Sequence, residues 1–436
     1  MLAQVLIPLV LILVVLVALN CPIWVALFGC TIYLQLFVNH MNLNNLFTGI
    51  FEACTKSSLL AVPYFILAGS IIASSSLGSR LINIFIALLK NIRGGLAIAC
   101  LIANAIFGAI SGSAPAATAT FGKVVHKPLS EAHGKKLSLG LITSSGALST
   151  IIPPSITLIV YGVATEQSIG KLFMTGFLPG ILLVIIVAVY LVIVCKENAF
   201  NTKSAQGQEE EEDVSDLSNL TLGKALKEGI LVLILPIIVL GGIYSGFCTP
   251  TESGAIAALY SFIVAVLVYR DIKPKELMPI FKDSAKTTAQ IFILIAVSSA
   301  FAQAATIAQL PLMVQDAFSG VGKIGFLLIL NIMLLIVGCF FDSSAAILIF
   351  APMLLGTATS LGINPLHLGI IFTVNLSIGM FTPPFGLNIF VSQSVLKESM
   401  GTISKAVLPF IGLYIIGLFI ITYVPKISMI LPTVLG

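Results

Sequence analysis

Apolar residues run along this chain in blocks of about 18 or more, separated by short polar loops, from one end to the other. A helix of that length, rising ~1.5 Å per residue, matches a bilayer core of roughly 30 Å. The pattern predicts ten crossings, at about 2–20, 23–40, 58–77, 134–164, 172–195, 228–247, 250–269, 287–306, 365–395 and 404–425. The first has no basic segment ahead of it and reads as a span, not a cleaved signal. Two more apolar stretches, about 97–122 and 322–356, fit this count badly. They hold 26 and 35 residues, whereas two full crossings need ~40. Each is interrupted mid-way, at Ser111-Gly112-Ser113-Ala114-Pro115 and at Asp342-Ser343-Ser344. Proline and small polar residues stop a helix, and backbone freed at membrane depth must face protein or water. Both stretches are therefore predicted to be re-entrant helical hairpins.

Composition agrees with a polytopic, all-α membrane protein. Of 436 residues, 58% are hydrophobic and 9% charged, with a mean hydropathy of +1.10. A soluble domain of this size needs far more charge to cover its surface. The position of the charges tests the topology, because short cytoplasmic loops collect Lys and Arg. With both hairpins returning to their own side, one face holds 18 basic residues and the other 4; with both crossing, the split falls to 15 against 7. The hairpin arrangement is preferred, with both termini outside. Residues 197–225 form an acidic linker around GQEEEEDVSD, read as a solvated cytoplasmic tether. The seven cysteines form no CxxC pair and the four histidines are scattered, so neither a disulfide framework nor a metal cluster is expected. No GxxxxGK[ST] pattern or other catalytic set is present, so the chain is not read as an enzyme and no cofactor is expected.

The halves flanking the linker resemble each other. Pro153, Pro154 and Pro179 recur at one constant spacing as Pro383, Pro384 and Pro409, and the first hairpin break recurs at nearly the same spacing as the second. Residues 1–196 and 226–436 are read as two copies of one unit. Five crossings separate equivalent points, so the second copy is inverted. Inverted repeats whose broken helices meet at mid-membrane characterise secondary transporters; a channel more often builds its pore from identical subunits.

Four breaks should converge: the two hairpin tips and the interrupted spans at 145–155 and 377–386. A Pro-Pro pair removes two amide donors and leaves carbonyls without helical partners. With nearby hydroxyls these make hard, neutral oxygen cages suited to Na⁺, and half-helix N-termini favour a carboxylate. The candidate sodium ligands are Ser111, Ser113, Ser149, Thr150 and the carbonyl around Ile152 in the first half. Asp342, Ser343, Ser344 and Thr382 form the second set. Candidate substrate contacts are Gly112, Ala114, Pro153, Pro154, Ser155, Asn375, Pro383 and Pro384. Each hydroxyl could instead bond back to its own helix. Asp342, a carboxylate near mid-bilayer, could bind a cation, carry a proton or pair with a polar neighbour. Glu252 could face headgroups or serve as a local hydrogen-bonding group. No intramembrane Lys or Arg stands ready for a substrate carboxylate, which makes the cations part of substrate binding.

The segment GGIYSGFCTPTESGAIAALYSFIVAVLVYRDI (241–272) resembles a signature of the large membrane subunit of tripartite ATP-independent periplasmic (TRAP) transporters. FGAISGSAPAATATFGKV (107–124), SSGALSTIIPPS (144–155) and FTPPFGLNIFV (381–391) are similar to that subunit too, in the same order. The resemblance implies an elevator-type fold, with a moving domain that holds both hairpins against a static scaffold. It implies Na⁺-coupled import of an organic acid through the bacterial inner membrane, either a C4-dicarboxylate or a sialic acid, with sialic acid slightly ahead. It also implies two protein partners, a small four-helix membrane subunit, expected as a separate chain, and a soluble periplasmic substrate-binding protein. Lipid is the remaining neighbour, and no nucleic acid is expected. A stand-alone sodium–dicarboxylate symporter of similar fold is the alternative, and a channel or membrane receptor the rival from another class.

Overall fold

The computed structural model describes residues 2–19, 21–195, 221–318 and 320–435, and every element among them is helical. In the first part α1 (Leu2–Ala18) and α2 (Ile23–Tyr33) precede α3 (Asn44–Cys54) and α4 (Ala61–Ala73), which form one unit bent by 53°. Then come α5 (Leu77–Leu89), α6 (Gly95–Ser111), α7 (Ala114–His133), α8 (Lys135–Ser145), α9 (Ile156–Thr165) and α10 (Ile169–Val194). The second part runs α11 (Leu222–Tyr244), α12 (Pro250–Phe262), α13 (Pro274–Ile307), α14 (Leu310–Ala317), α15 (Gly322–Phe340) and α16 (Ser343–Ser360). It ends with α17 (Pro365–Gly379), α18 (Leu387–Leu396), α19 (Met400–Tyr423) and α20 (Lys426–Leu435). Among the described residues seven helices are long and apolar enough to cross a membrane, or eight with the bent pair. The chain is a multi-pass membrane protein. Residues 197–220 of the acidic linker lie outside the described residues.

Helix starts follow local chemistry. Hydroxyls of Ser155, Ser168, Thr249 and Ser399 and the side-chain oxygen of Asn364 accept from first-turn amides that have no intrahelical partner. Pro250, Pro274 and Pro365 occupy the first helical position, where a missing N–H costs nothing. Glu252 completes a capping box with Thr249: its carboxylate accepts from the Thr249 amide and hydroxyl at 2.8 Å each, and its own amide donates to Thr249 Oγ1 at 3.2 Å. Its role is the local one.

The structure departs from the predicted spans in identifiable places. Helix α13 begins at Pro274, more than three turns ahead of the predicted start at 287, with the Glu276 carboxylate accepting from the Lys273 amide at 2.8 Å. Helices α3, α5, α14 and α20 fall outside the predicted spans, because none holds enough residues to cross a bilayer. The second hairpin runs on to Ser360, beyond the predicted end at 356, and its arms hold 19 and 18 residues, so either could cross on length alone. Insufficient length is therefore no ground for a hairpin in that stretch. Its reversal rests on geometry instead: Lys323 Nζ, at the base of α15, donates to Gly362 O, just past the end of α16, at 3.1 Å. In the first stretch Phe107 and Phe121 meet edge-on across the turn with centroids 5.3 Å apart.

We name two groups of helices, a frame and a body, which also touch each other where α4 meets α6 and α13 meets α16. In the frame α4 lies along α12, and α13 packs on α2, α3 and α4. In the body the hairpins and broken spans interlock. Helix α7 packs on α8 and α18, α16 on α9, α15 on α17, and α6 on the 3₁₀ turn Gly146–Thr150. Close crossings need glycine. A Cβ on Gly379 would lie 2.6 Å from Gly338 O, and one on Gly108 would lie 2.5 Å from Ser149 Cα. Gly338 and Gly379 occupy the positions in the second half that match Gly108 and Ser149 in the first.

Candidate functional site

Each hairpin turns through a short non-helical tip. In the first, Gly112 adopts φ +61°, a left-handed conformation natural to glycine, and its amide donates to Gly108 O at 2.7 Å. Ser113 then caps α7 by accepting from Ala116 N at 3.4 Å. In the second, Asp342 caps α16 through Oδ2, which accepts from Ser344 N at 2.9 Å.

The broken spans are held differently. In the first, Thr150 Oγ1 donates to Ala147 O at 2.8 Å and lies 2.5 Å from Ser377 Oγ, tying the two breaks together. Ser155 Oγ donates to Thr150 O and accepts from Leu158 N, so it bridges the Pro-Pro gap. In the second, the Asn388 amide donates to Met380 O at 2.8 Å across the break, and Thr382 Oγ1 bonds back to Ile378 O at 2.7 Å. The Pro153–Pro154 and Pro383–Pro384 bonds are both cis.

Eight of the predicted residues line one cavity of about 1170 Å³: Ser111, Gly112, Ser113, Ala114, Thr150, Asp342, Ser343 and Ser344. The others do not line it. Ser149 lies behind the first tip beneath Gly108, fully buried, its hydroxyl without a partner among the described residues. Ile152 and Pro153 pack towards Gly180 and Gly176 of α10. Pro154 and Ser155 sit in the buried gap, while Thr382 and Pro383 are half-buried and Pro384 exposed, outside the lining that Met380 and Leu387 on either side belong to. Asn375 Nδ2 donates at 2.7 Å to Asn331 Oδ1 and Ile371 O, while its own Oδ1 is buried with no partner among the described residues.

Around the tips, Ser149 Oγ, Thr118 Oγ1, Asn104 Oδ1 and Ser343 Oγ are buried with no hydrogen-bond partner among the described residues. An oxygen in that condition is costly unless something else fills its lone pairs. Thr118 and Asn104 are not among the ligands expected from sequence, although Thr118 sits one to two turns from the first tip and Asn104 bonds Ser145 Oγ at 2.7 Å. Sequence reasoning also misses the acidic wall. Asp271, Glu276 and Asp283 line the same cavity, and the contributions of α13 recur at 276, 280, 283, 287, 290 and 294. That is helical spacing, legible in KELMPIFKDSAKTTAQ once the helix is started at Pro274. With Asp342 the lining carries four carboxylates and, among the described residues, no Lys, Arg or His.

A cavity of this kind inside a body of hairpins and broken spans suits a carrier. The profile of the family described as "Tripartite ATP-independent periplasmic transporter, DctM component" matches residues 10–427. The chain belongs to this family. It is 40% identical over 393 residues to a C4-dicarboxylate TRAP transporter large permease protein of Pseudomonas aeruginosa, covering 89% of each. It is 32% identical over 378 residues to a sialic acid TRAP transporter large permease protein of Vibrio cholerae, covering 86% of each. Among solved structures, the YdaH transporter of Alcanivorax borkumensis aligns with a TM-score of 0.57 over 89% of this chain and 87% of its own. At 16% identity that likeness concerns the fold. The chain is thus a TRAP large permease subunit and not an enzyme, one component of a tripartite system.

Proposed function

We propose that this subunit imports an organic acid anion together with Na⁺ across the bacterial inner membrane, by an elevator movement of the body against the frame. The observation that carries the reading is the convergence of both hairpin tips and Thr150 on one cavity, with unpartnered buried oxygens at each tip. Neutral hydroxyl and carbonyl oxygens suit Na⁺, which needs no basic or sulfur ligand. The first sodium site is assigned to Ser111, Ser113, Ser149 and Thr150, joined by Thr118 and Asn104. The second is assigned to Asp342, Ser343 and Ser344. At the crossing equivalent to Gly108–Ser149 the second half has Gly338–Gly379, so its site lacks one hydroxyl and leans on the Asp342 carboxylate.

The acidic lining gives the coupling a direction. A free anion meets four carboxylates in that lining, of which Asp283 is paired with Lys286 at 3.8 Å, so it is held best while Na⁺ offsets the others. Once Na⁺ leaves, the cavity repels it. The basic residues of 270–286 favour a cytoplasmic mouth for this cavity, with both termini in the periplasm and an inward-open form.

Duplication is supported by paired details. Left-handed residues close α9 at Glu166 and α18 at Lys397, at the spacing of the two hairpin breaks, and a π turn ends both α2 and α12. We read 1–196 and 226–436 as inverted copies on this basis. The more similar relative named above favours a C4-dicarboxylate over a sialic acid.

The test is uptake into proteoliposomes holding the chain with its small four-helix partner. Succinate or sialic acid would be offered with and without a Na⁺ gradient and the periplasmic binding protein. Uptake that needs both supports the tripartite importer. Uptake needing sodium alone points to a stand-alone symporter, and uptake indifferent to sodium overturns the coupling.

A further inference from the structure

Helix α13 borders two cavities. Its first half, to Leu294, lines the acidic one; its second half, from Ile295 to Thr306, lines another of about 340 Å³. Among the described residues the two share no lining residue. The second lies between frame and body, and its walls include Lys56 after α3, Glu166 at the end of α9, and Ser298 and Gln303 on α13.

Three features of it stand out chemically. Among the described residues, Lys56 is the one basic side chain lining either cavity. Its Nζ lies 3.0 Å from Glu166 Oε1, so the ion pair joins frame to body; the Lys56 side chain is 39% exposed and that of Glu166 80%. Ser298 is only 2% exposed, and its hydroxyl has no partner among the described residues. A cation whose carboxylate partner is almost wholly in solvent, beside a buried hydroxyl without a partner, is arranged for exchange.

We infer that this second cavity is a receiving site for a carboxylate of the transported anion, with Glu166 as its built-in occupant. The inference rests on the organic-acid reading above. An incoming carboxylate replaces that of Glu166 on Lys56, like for like, and Ser298 and Gln303 supply neutral hydrogen bonds. The cavity volume lies in the range of small-molecule sites. Replacement also cuts the ion pair between frame and body, so arrival of cargo loosens this face.

The same proteoliposome assay separates the possibilities, beginning with the wild-type chain. If it carries no organic acid at all, the functional reading fails and this site falls with it. If it does, Lys56→Gln should raise KM about tenfold, the worth of one charge-assisted contact of ~1.4 kcal/mol, with kcat nearly unchanged. Glu166→Gln should lower KM by removing the competitor. The double exchange Lys56→Glu with Glu166→Lys restores an ion pair but moves the cation to the other wall, so KM should stay raised. An unchanged KM in Lys56→Gln, or a wild-type KM in the double exchange, would overturn the site; the second result would leave a simple latch. Thermal unfolding of each variant checks that the fold is retained.

Discussion

Replacing Ser149 by alanine removes one oxygen from a site with no exposure to solvent, beneath Gly108. The hydroxyl has no partner among the described residues, so without sodium its burial costs about 1–3 kcal/mol. Ser149→Ala should therefore make the sodium-free protein more stable by a similar amount, unlike most deletions of buried polar groups. If the hydroxyl is a Na⁺ ligand, that advantage shrinks once sodium is present. A ligand binding only the folded state stabilises it by about 2.7 kcal/mol at a hundred times its Kd. A tenfold loss of affinity would remove about 1.4 kcal/mol of that. The assay is thermal unfolding of the purified protein in potassium or choline buffer, titrated with sodium. The wild type should show a large sodium-dependent rise in Tm, and the variant a higher starting Tm with a smaller, right-shifted rise. A lower sodium-free Tm together with an unchanged sodium midpoint would refute the reasoning, because the hydroxyl would then be a structural group.

Asp342→Asn keeps a side-chain oxygen to accept from Ser344 N, so folding should persist while the sodium half-saturation for uptake rises several-fold; an unchanged half-saturation rules the carboxylate out as a ligand. Gly379→Val places a branched side chain against Gly338 backbone, beyond the space available, and should cost about 3 kcal/mol or more by forcing α15 away from α17; a Tm indistinguishable from wild type would contradict the close crossing. Glu252→Ala removes the capping box of α12 and should lower Tm while leaving sodium midpoint and KM as they are; a shifted KM would give Glu252 a transport role.

What can be read from the chain, and what cannot, follows from the kind of signal each feature leaves. The breaks at 111–115 and 342–344 are visible because proline and small polar residues interrupt apolar runs, and both tips do line one cavity. Asn375 and Thr382 look equally suitable but do not line that cavity; Asn375 Nδ2 donates to Asn331 and Thr382 Oγ1 to Ile378 O, contacts set by packing that a polar residue in an apolar run does not announce. Ser149 and Thr150 are neighbours in sequence, yet one is buried behind the tip and the other faces the cavity, because a 3₁₀ turn directs adjacent side chains apart. The acidic wall escapes notice when 270–286 is counted as a basic loop. As a helix, the same stretch presents Glu276 and Asp283 on one face.

The partition between the two cavities is thin. On α16 Ala345 lines one and Leu348 the other; on α13 the change falls between Leu294 and Ile295. About one helical turn, ~5 Å, separates them. On the proposed import cycle the two recesses open to opposite faces; filled with electrolyte they act as conductors, and the membrane voltage then drops across that turn instead of across the roughly 30 Å of hydrocarbon. The local field is then about sixfold steeper, and a charge carried from one side of the partition to the other collects nearly the full ~2.3 kcal/mol per 100 mV. Under the proposed Na⁺-coupled import, uptake in a polarised cell draws on voltage as well as on the ion gradient, through a displacement no longer than a single rung of helix.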